Sequence, residues 1–149
     1  MIYREVTLAD VPALFDVRVA TRENAYTLDE LAALGVTEAS VREKLRGDYA
    51  GWLCEVTGRV VGFSVADRST GELWVIAVRP DFEGKGIGAG LMGMAEDWLW
   101  SCGCAEAWLT TSIDPNLRAY GFYRKLGWVD QEIRGGLRYM KKRNPAAPC

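Results

Sequence analysis

Four glycines at every second position, Gly84, Gly86, Gly88 and Gly90, follow closely on an apolar run and lead straight into a helical pattern. No other segment constrains the fold as strongly. The run Val75-Ile76-Ala77-Val78 has strand character and ends at Arg79-Pro80. Leu91, Met92, Ala95, Trp98 and Leu99 then recur at helical spacing up to Gly103. A strand, a glycine-rich turn and a helix in that order make a cradle for an anion. The turn's N–H groups, free of side chains, approach an oxyanion closely, and the helix N-terminus adds partial positive charge. The expected ligand is a phosphate-bearing cofactor.

The surrounding pattern supplies the rest of a sheet. Ile2, Tyr3 and Val6 predict a short first strand, and Thr7 or Asp10 can cap the helix that follows. That helix has its apolar face at Val11, Leu14, Phe15, Val17, Arg18 and Val19. Thr27 and Thr37, each with a partner three residues on (Glu30, Ser40), predict two short capped helices separated by Gly35. Strands over residues 49–56, 59–66 and 72–78 are joined by the turns Thr57-Gly58 and Ser69-Thr70-Gly71, which predicts an antiparallel meander. The unit strand–turn–helix–strand over 72–110 is a βαβ crossover, so its two strands should be parallel. A helix over 116–126 and a hairpin over 128–142 around Gly135-Gly136 complete the chain. The expected fold is α/β, one domain over 1–149. Its mixed, mostly antiparallel central sheet has about seven strands with helices on both faces, and one parallel βαβ crossover at the cofactor site.

Composition removes several function classes. The net charge is −2 and the sequence pI about 5.3, against the basic patch of a nucleic-acid binder. No apolar run approaches the ~20 residues of a membrane span, and MIYREVTLAD has no signal-peptide core, so a cytoplasmic protein is expected. There is no histidine, which excludes Ser-His-Asp and Cys-His catalysis and leaves acid–base work to Glu, Asp, Tyr, Lys or Cys. Cys102-Gly103-Cys104 is not a zinc or redox spacing, and no metal site is expected. An acyl-cysteine is disfavoured because these thiols lie at the far end of the helix from the glycines.

Three readings of the glycine turn stand beside one another. A Walker A loop fails, because Gly86 follows Lys85 where Ser or Thr must hold magnesium. A dinucleotide fingerprint fits Gly84-x-Gly86-x-x-Ala89, with Glu106 about 20 residues further on. Against it, Arg79 to Glu83 separate strand from glycines, and the upstream strands pair as hairpins. A loop without ligand is the third reading, although alternating glycines weaken a helix start unless the backbone must approach something.

The segment Val78-Arg79-Pro80-Asp81-Phe82-Glu83-Gly84-Lys85-Gly86-Ile87-Gly88 resembles the pyrophosphate-binding motif of the GNAT superfamily of N-acetyltransferases, Gln/Arg-x-x-Gly-x-Gly/Ala. Downstream, Asn116 to Trp128 resembles that family's second signature, Asn-x-x-Ala-x-x-x-Tyr-x-x-x-Gly-Phe, and the likeness extends over nearly the whole chain. Two departures stand out. Glu83 takes a Gln/Arg position, where an acid disfavours a pyrophosphate unless it points away or binds the loop amides, and Trp128 replaces Phe.

The resemblance implies acetyl-CoA as donor and a small-molecule or peptide amine as acceptor, attacking directly in a ternary complex. A non-catalytic acyl-CoA sensor on the same fold is the alternative. The backbone of Ile76, Ala77 and Val78 would hold the pantetheine arm, with the Val78 amide polarising the carbonyl. The loop Glu83, Gly84, Lys85, Gly86, Ile87, Gly88 and Ala89 would hold the pyrophosphate, and Asn116 the pantetheine end. Tyr123 would lie near the thioester sulfur and protonate the leaving thiolate, or act there simply by hydrogen bonding. Glu72 is the first candidate base, working through water, and Asp114 the second; the resemblance is equally compatible with no dedicated base. Lys85, Arg118, Arg124 and Lys125 are candidate phosphate contacts. The acceptor region is 21–46, with Asn24, Tyr26 and Glu30 as candidate substrate residues, and its acidic excess favours a cationic amine. A homodimer is compatible with the final strands.

Overall fold

Thr57 (φ 53°) and Gly58 (φ 77°) both take left-handed backbone, the type I′ pairing whose twist matches that of the strands it joins. They link β2 (Tyr49–Val56) to β3 (Arg59–Asp67) in the predicted hairpin. The next turn is built by Asp67, whose carboxylate accepts from the Ser69 amide (2.9 Å), the Ser69 hydroxyl (2.6 Å) and the Thr70 hydroxyl (3.1 Å). It delivers the chain into β4 (Glu72–Val78). The structure is a computed structural model and describes residues 1–21 and 26–146.

With β1 (Ile2–Glu5), β5 (Glu106–Ser112), β6 (Val129–Arg134) and β7 (Leu137–Arg143), the strands form one seven-stranded sheet in the order β1-β2-β3-β4-β5-β7-β6. Every neighbouring pair is antiparallel except β4–β5. The parallel pair is the predicted crossover, connected through α4 (Ile87–Ser101). The predicted fifth strand, ending at residue 110, is too short at its C-terminal end. Strand β5 runs to Ser112 because its ladder with β7 continues to Ser112–Leu137, a long-range constraint that local sequence does not carry.

Helices cover both faces, as predicted. On one side α4 and α5 (Arg118–Lys125) bury Leu91, Met92, Leu99 and Tyr123 with Trp128, Leu109 and Met140. On the other, α1 (Val11–Ala20), α2 (Leu28–Ala33) and α3 (Glu38–Arg46) bury Val11, Leu14, Phe15, Val17, Leu31 and Val41. Both predicted capping boxes form. Thr27 Oγ1 accepts from the Glu30 amide while Glu30 Oε1 accepts from the Thr27 amide, and Thr37 and Ser40 repeat the exchange. Before α1, a 3₁₀ turn over Leu8–Asp10 intervenes, and Asp10 accepts from the Thr7 amide and from Arg4. Val19, placed on the apolar face of α1 by its spacing, turns to solvent instead. Among the described residues no helix is long and apolar enough to cross a membrane, and no group of side chains has the makings of a metal site.

Candidate active site

The parallel strands meet and then part. Among the described residues β4 and β5 pair only at Glu72–Trp108, where the Trp108 amide also donates to the Gly71 carbonyl at 3.1 Å. A bulge explains the divergence. Val65 of β3 faces Val75 and Ala66 faces Leu73, so Trp74 is an extra residue on β4, and a bulge bends the strand that carries it. A cleft of about 500 Å³ opens where the strands separate, lined by β4 from Trp74 to Val78 and by Thr110 and Thr111 of β5.

The backbone of β4 divides its hydrogen bonds between the two edges. The Arg79 amide donates to the Val61 carbonyl at 2.8 Å, so by the alternation of an antiparallel ladder Val75 and Ala77 bond to β3. Ile76 and Val78 therefore turn their N–H and C=O groups toward the parted edge. Of the three residues expected to hold a pantetheine arm, Ile76 and Val78 present polar backbone to the cleft, while Ala77 lines it with its methyl group only.

The four glycines do two different jobs. Gly84 (φ 75°) and Gly86 (φ 82°) adopt left-handed backbone, Gly86 as the N-cap of α4, and neither has a neighbour within 4 Å of where a Cβ would stand. The space above them is open. Gly88 and Gly90 are packing residues: a Cβ on Gly88 would lie 3.1 Å from the Phe122 ring, and one on Gly90 would lie 3.0 Å from the Tyr3 ring. The first intrahelical bond of α4 is donated by Gly90 to the Gly86 carbonyl. The amides of Ile87, Gly88 and Ala89 thus precede the helical ladder and are available to an anion. Gly84, Gly86, Gly88 and Ala89 line the cleft, whereas the Ile87 side chain is core and Lys85 extends into solvent.

Glu83 lines the cleft, and its charge is offset by a cation of its own. Its Oε2 accepts from Arg118 Nη1 at 3.0 Å, which ties the loop to the first residue of α5. Arg118 and Lys125 line the cleft, so two of the four candidate phosphate contacts are at hand; Lys85 and Arg124 are not among the lining residues.

Tyr123 lines the same cleft from α5 and is packed edge-on against Phe122 and Trp128. Burial pushes its phenol up to about 12, with the nearby Arg18 charge pulling the other way. The other candidates lie elsewhere. Glu72 sits where the strands are still paired and lines neither the cleft nor the smaller cavity between α1–α3 and the sheet. Burial and Asp67 raise its carboxyl above the ordinary value, opposed by Lys44. Asp114 accepts from the Asn116 amide at 2.9 Å in the turn before α5, and both are exposed, so neither reaches the cleft. Glu30 is outside the cavities because its carboxylate is held in the α2 capping box. Asn24 lies outside the described residues. Tyr26 does line a cavity, a second and apolar one of about 180 Å³ between α1–α3 and the sheet.

Sequence patterning alone did not single out Arg18. It lines both cavities, lies with its guanidinium 4.9 Å from the Tyr26 ring centroid, and is depressed in pKa by burial. Its signal is a cation at position i+4 from Leu14 and i+3 from Phe15, on the buried stripe of α1. Among the described residues, none of the acids of the acceptor region lines either cavity. Asp29, Glu30 and Glu38 are exposed, and Glu38 pairs with Arg42 at 3.3 Å.

Comparison with known proteins fits this geometry. An N-acetyltransferase of Methanocaldococcus jannaschii, uncharacterised in substrate, is 34% identical over 101 residues, 61% of this chain and 44% of that protein. The mycothiol acetyltransferase of Saccharopolyspora erythraea is 33% identical over 140 residues, 87% of this chain and 44% of that protein. The chain spans less than half the length of these curated relatives. In fold, it is similar to the PaiA N-acetyltransferase of Thermoplasma acidophilum, solved in complex with coenzyme A, with a TM-score of 0.82 at 18% identity over 97% of this chain and all of that one. The model of the acetyltransferase (GNAT) family matches residues 13–128, from within α1 through the parted strands to the end of α5 and Trp128. With most of its length and the whole cleft inside that match, the chain belongs to the GNAT family of acetyltransferases.

Proposed function

We propose that the cleft binds acetyl-CoA and that the chain transfers the acetyl group to a primary amine by direct attack in a ternary complex. One observation carries this: β4 and β5 part directly beside the N-terminus of α4, so a strand edge with free polar groups and an anion cradle face one cavity. The relatives named as acetyltransferases and the coenzyme A complex of a fold neighbour support it. The bound donor supplies an activated thioester.

The residues divide the work. Ile76 and Val78 hold an extended arm by strand-like hydrogen bonds, and the Val78 amide polarises the carbonyl. The amides from Gly84 to Ala89 hold the pyrophosphate, with Lys125 adding charge and Arg118 offsetting Glu83. Tyr123 donates a hydrogen bond to the sulfur as it leaves. The cleft itself chiefly positions the two reactants. The one carboxylate among the described residues lining it is Glu83, committed to Arg118. The amine therefore gives up its proton to water. Glu72→Gln should accordingly leave kcat within about threefold, where loss of a true general base costs ~10²-fold or more; a loss that large would restore Glu72 as the base.

Calorimetric titration of acetyl-CoA, with NAD as control, tests the reading. Saturable binding of acetyl-CoA alone is expected, together with stabilisation of about 2.7 kcal/mol at a hundredfold excess over Kd. Free-thiol release on adding amine completes it. Binding without release would identify a sensor, and no binding would remove the proposal.

A further inference from the structure

The second cavity adjoins the first, since Arg18, Trp74 and Val75 line both. Tyr123 lines the first cavity, the cleft, together with these three. An acceptor seated in the second cavity would thus have its amine presented toward the cleft. The walls are aliphatic and aromatic, and Arg18 is the one charged residue among the described residues that form them. Its volume of about 180 Å³ is of the size that accepts a benzene-sized group, since a dry apolar cavity of ~150 Å³ already holds one.

From this shape and charge we infer the class of acceptor: a free α-amino acid with an aromatic or branched apolar side chain, which fills the second cavity while its carboxylate meets Arg18. The inference rests on the acetyl-transfer reading above. Arg18 donates to Thr21 Oγ1 at 3.4 Å and stacks on Tyr26. A guanidinium has five N–H donors and serves several partners at once, so a carboxylate adds to these contacts. The same walls disfavour the alternatives. A polyamine would place further positive charge beside Arg18, and a sugar would lose water from most of its hydroxyls, since the described walls carry few polar groups. In the reaction the amide C–N bond forms and the thioester C–S bond breaks. The sulfur leaves with the electron pair, and the proton released by the amine passes to water.

Free-thiol release with the full chain and acetyl-CoA decides it, using phenylalanine, leucine, glycine, phenylalaninamide and spermidine. Phenylalanine or leucine should exceed glycine and spermidine at least tenfold in kcat/KM, as burial of one such side chain is worth roughly 10- to 150-fold. Phenylalanine should also exceed its amide about tenfold. Arg18→Gln should collapse that acid-to-amide ratio toward one, a change that general damage to the fold would not produce. If this variant does not fold, the wild-type acid-to-amide ratio stands as the test. Equal rates for acid and amide would overturn the carboxylate anchor and point to a peptide N-terminus. Preference for spermidine would overturn the inference while leaving acetyl transfer standing. Release with no amine at all would remove both.

Discussion

Tyr123→Phe should lower kcat about 10- to 100-fold while leaving the KM for acetyl-CoA within about threefold. The substitution removes one oxygen from a ring held by Phe122 and Trp128, so packing is retained. What is lost follows from the pKa. With its phenol pushed up to about 12, Tyr123 stays neutral throughout the assay range. A thiol titrates near ~8.5, so full proton transfer to a thiolate from a phenol that burial has raised would run uphill. Of the two roles the resemblance implies for Tyr123, protonation of the leaving group and hydrogen bonding to it, the raised pKa makes protonation the weaker reading. Hydrogen bonding to the developing charge is the stronger one, and a hydrogen bond to a charged atom is worth about 1.5–3 kcal/mol. At ~1.4 kcal/mol per decade this gives the stated loss. The pH profile separates the two. Both enzymes should show a rising limb set by the acceptor amine, with the variant displaced downward and unchanged in shape. Wild-type kcat in the variant would remove Tyr123 from the sulfur, and a changed limb would restore proton transfer.

The sequence disclosed the sheet more readily than the site, for identifiable reasons. Turn chemistry at Thr57-Gly58 and at Asp67 to Gly71 is local, so both hairpins were legible with their direction. The crossover was legible because strand, glycines and helix are contiguous. The bulge at Trp74 was not, since residues 73–78 are apolar without alternation and nothing local marks the extra residue. Yet it places Trp74 and Val75 in the same packing layer and opens the cleft. The alternating glycines looked like one motif. The structure assigns the first two to backbone conformation and the last two to contacts with Phe122 and Tyr3, partners far away in sequence. The Glu83–Arg118 pair spans 35 residues and was equally invisible, although it answers why an acid is tolerated beside the loop. Glu30 shows the reverse case: its capping role was legible, and that same role removes it from the acceptor site.

Lys142→Met should destabilise the fold by about 3–5 kcal/mol, a larger effect than loss of any surface ion pair. Glu96 of α4 is buried, and its carboxylate accepts from Lys142 Nζ at 2.7 Å and from Trp128 Nε1 at 3.0 Å. Removing the lysine leaves that buried charge without its cation, the costly way to break such a pair. The exposed Arg46–Glu43 pair, with side chains 57% and 78% accessible, should contribute under about 1 kcal/mol. At ~2–4 °C per kcal/mol for a chain of this size, the melting temperature should fall by about 10 °C. Glu96→Gln in the same background should recover most of the loss, because the neutral amide oxygen still accepts from Trp128. A double-mutant cycle measures that coupling, and simple additivity would show that charge burial is not the cause. There is a functional consequence as well. Lys142 Nζ also donates to the Leu126 carbonyl at 2.8 Å, at the C-terminal end of α5. The helix that presents Tyr123 is thereby anchored to β7 and, through Glu96, to α4, whose N-terminus forms the anion cradle. Lys142→Met should therefore also lower kcat at temperatures where the variant is fully folded, and an unchanged kcat there would confine Lys142 to stability.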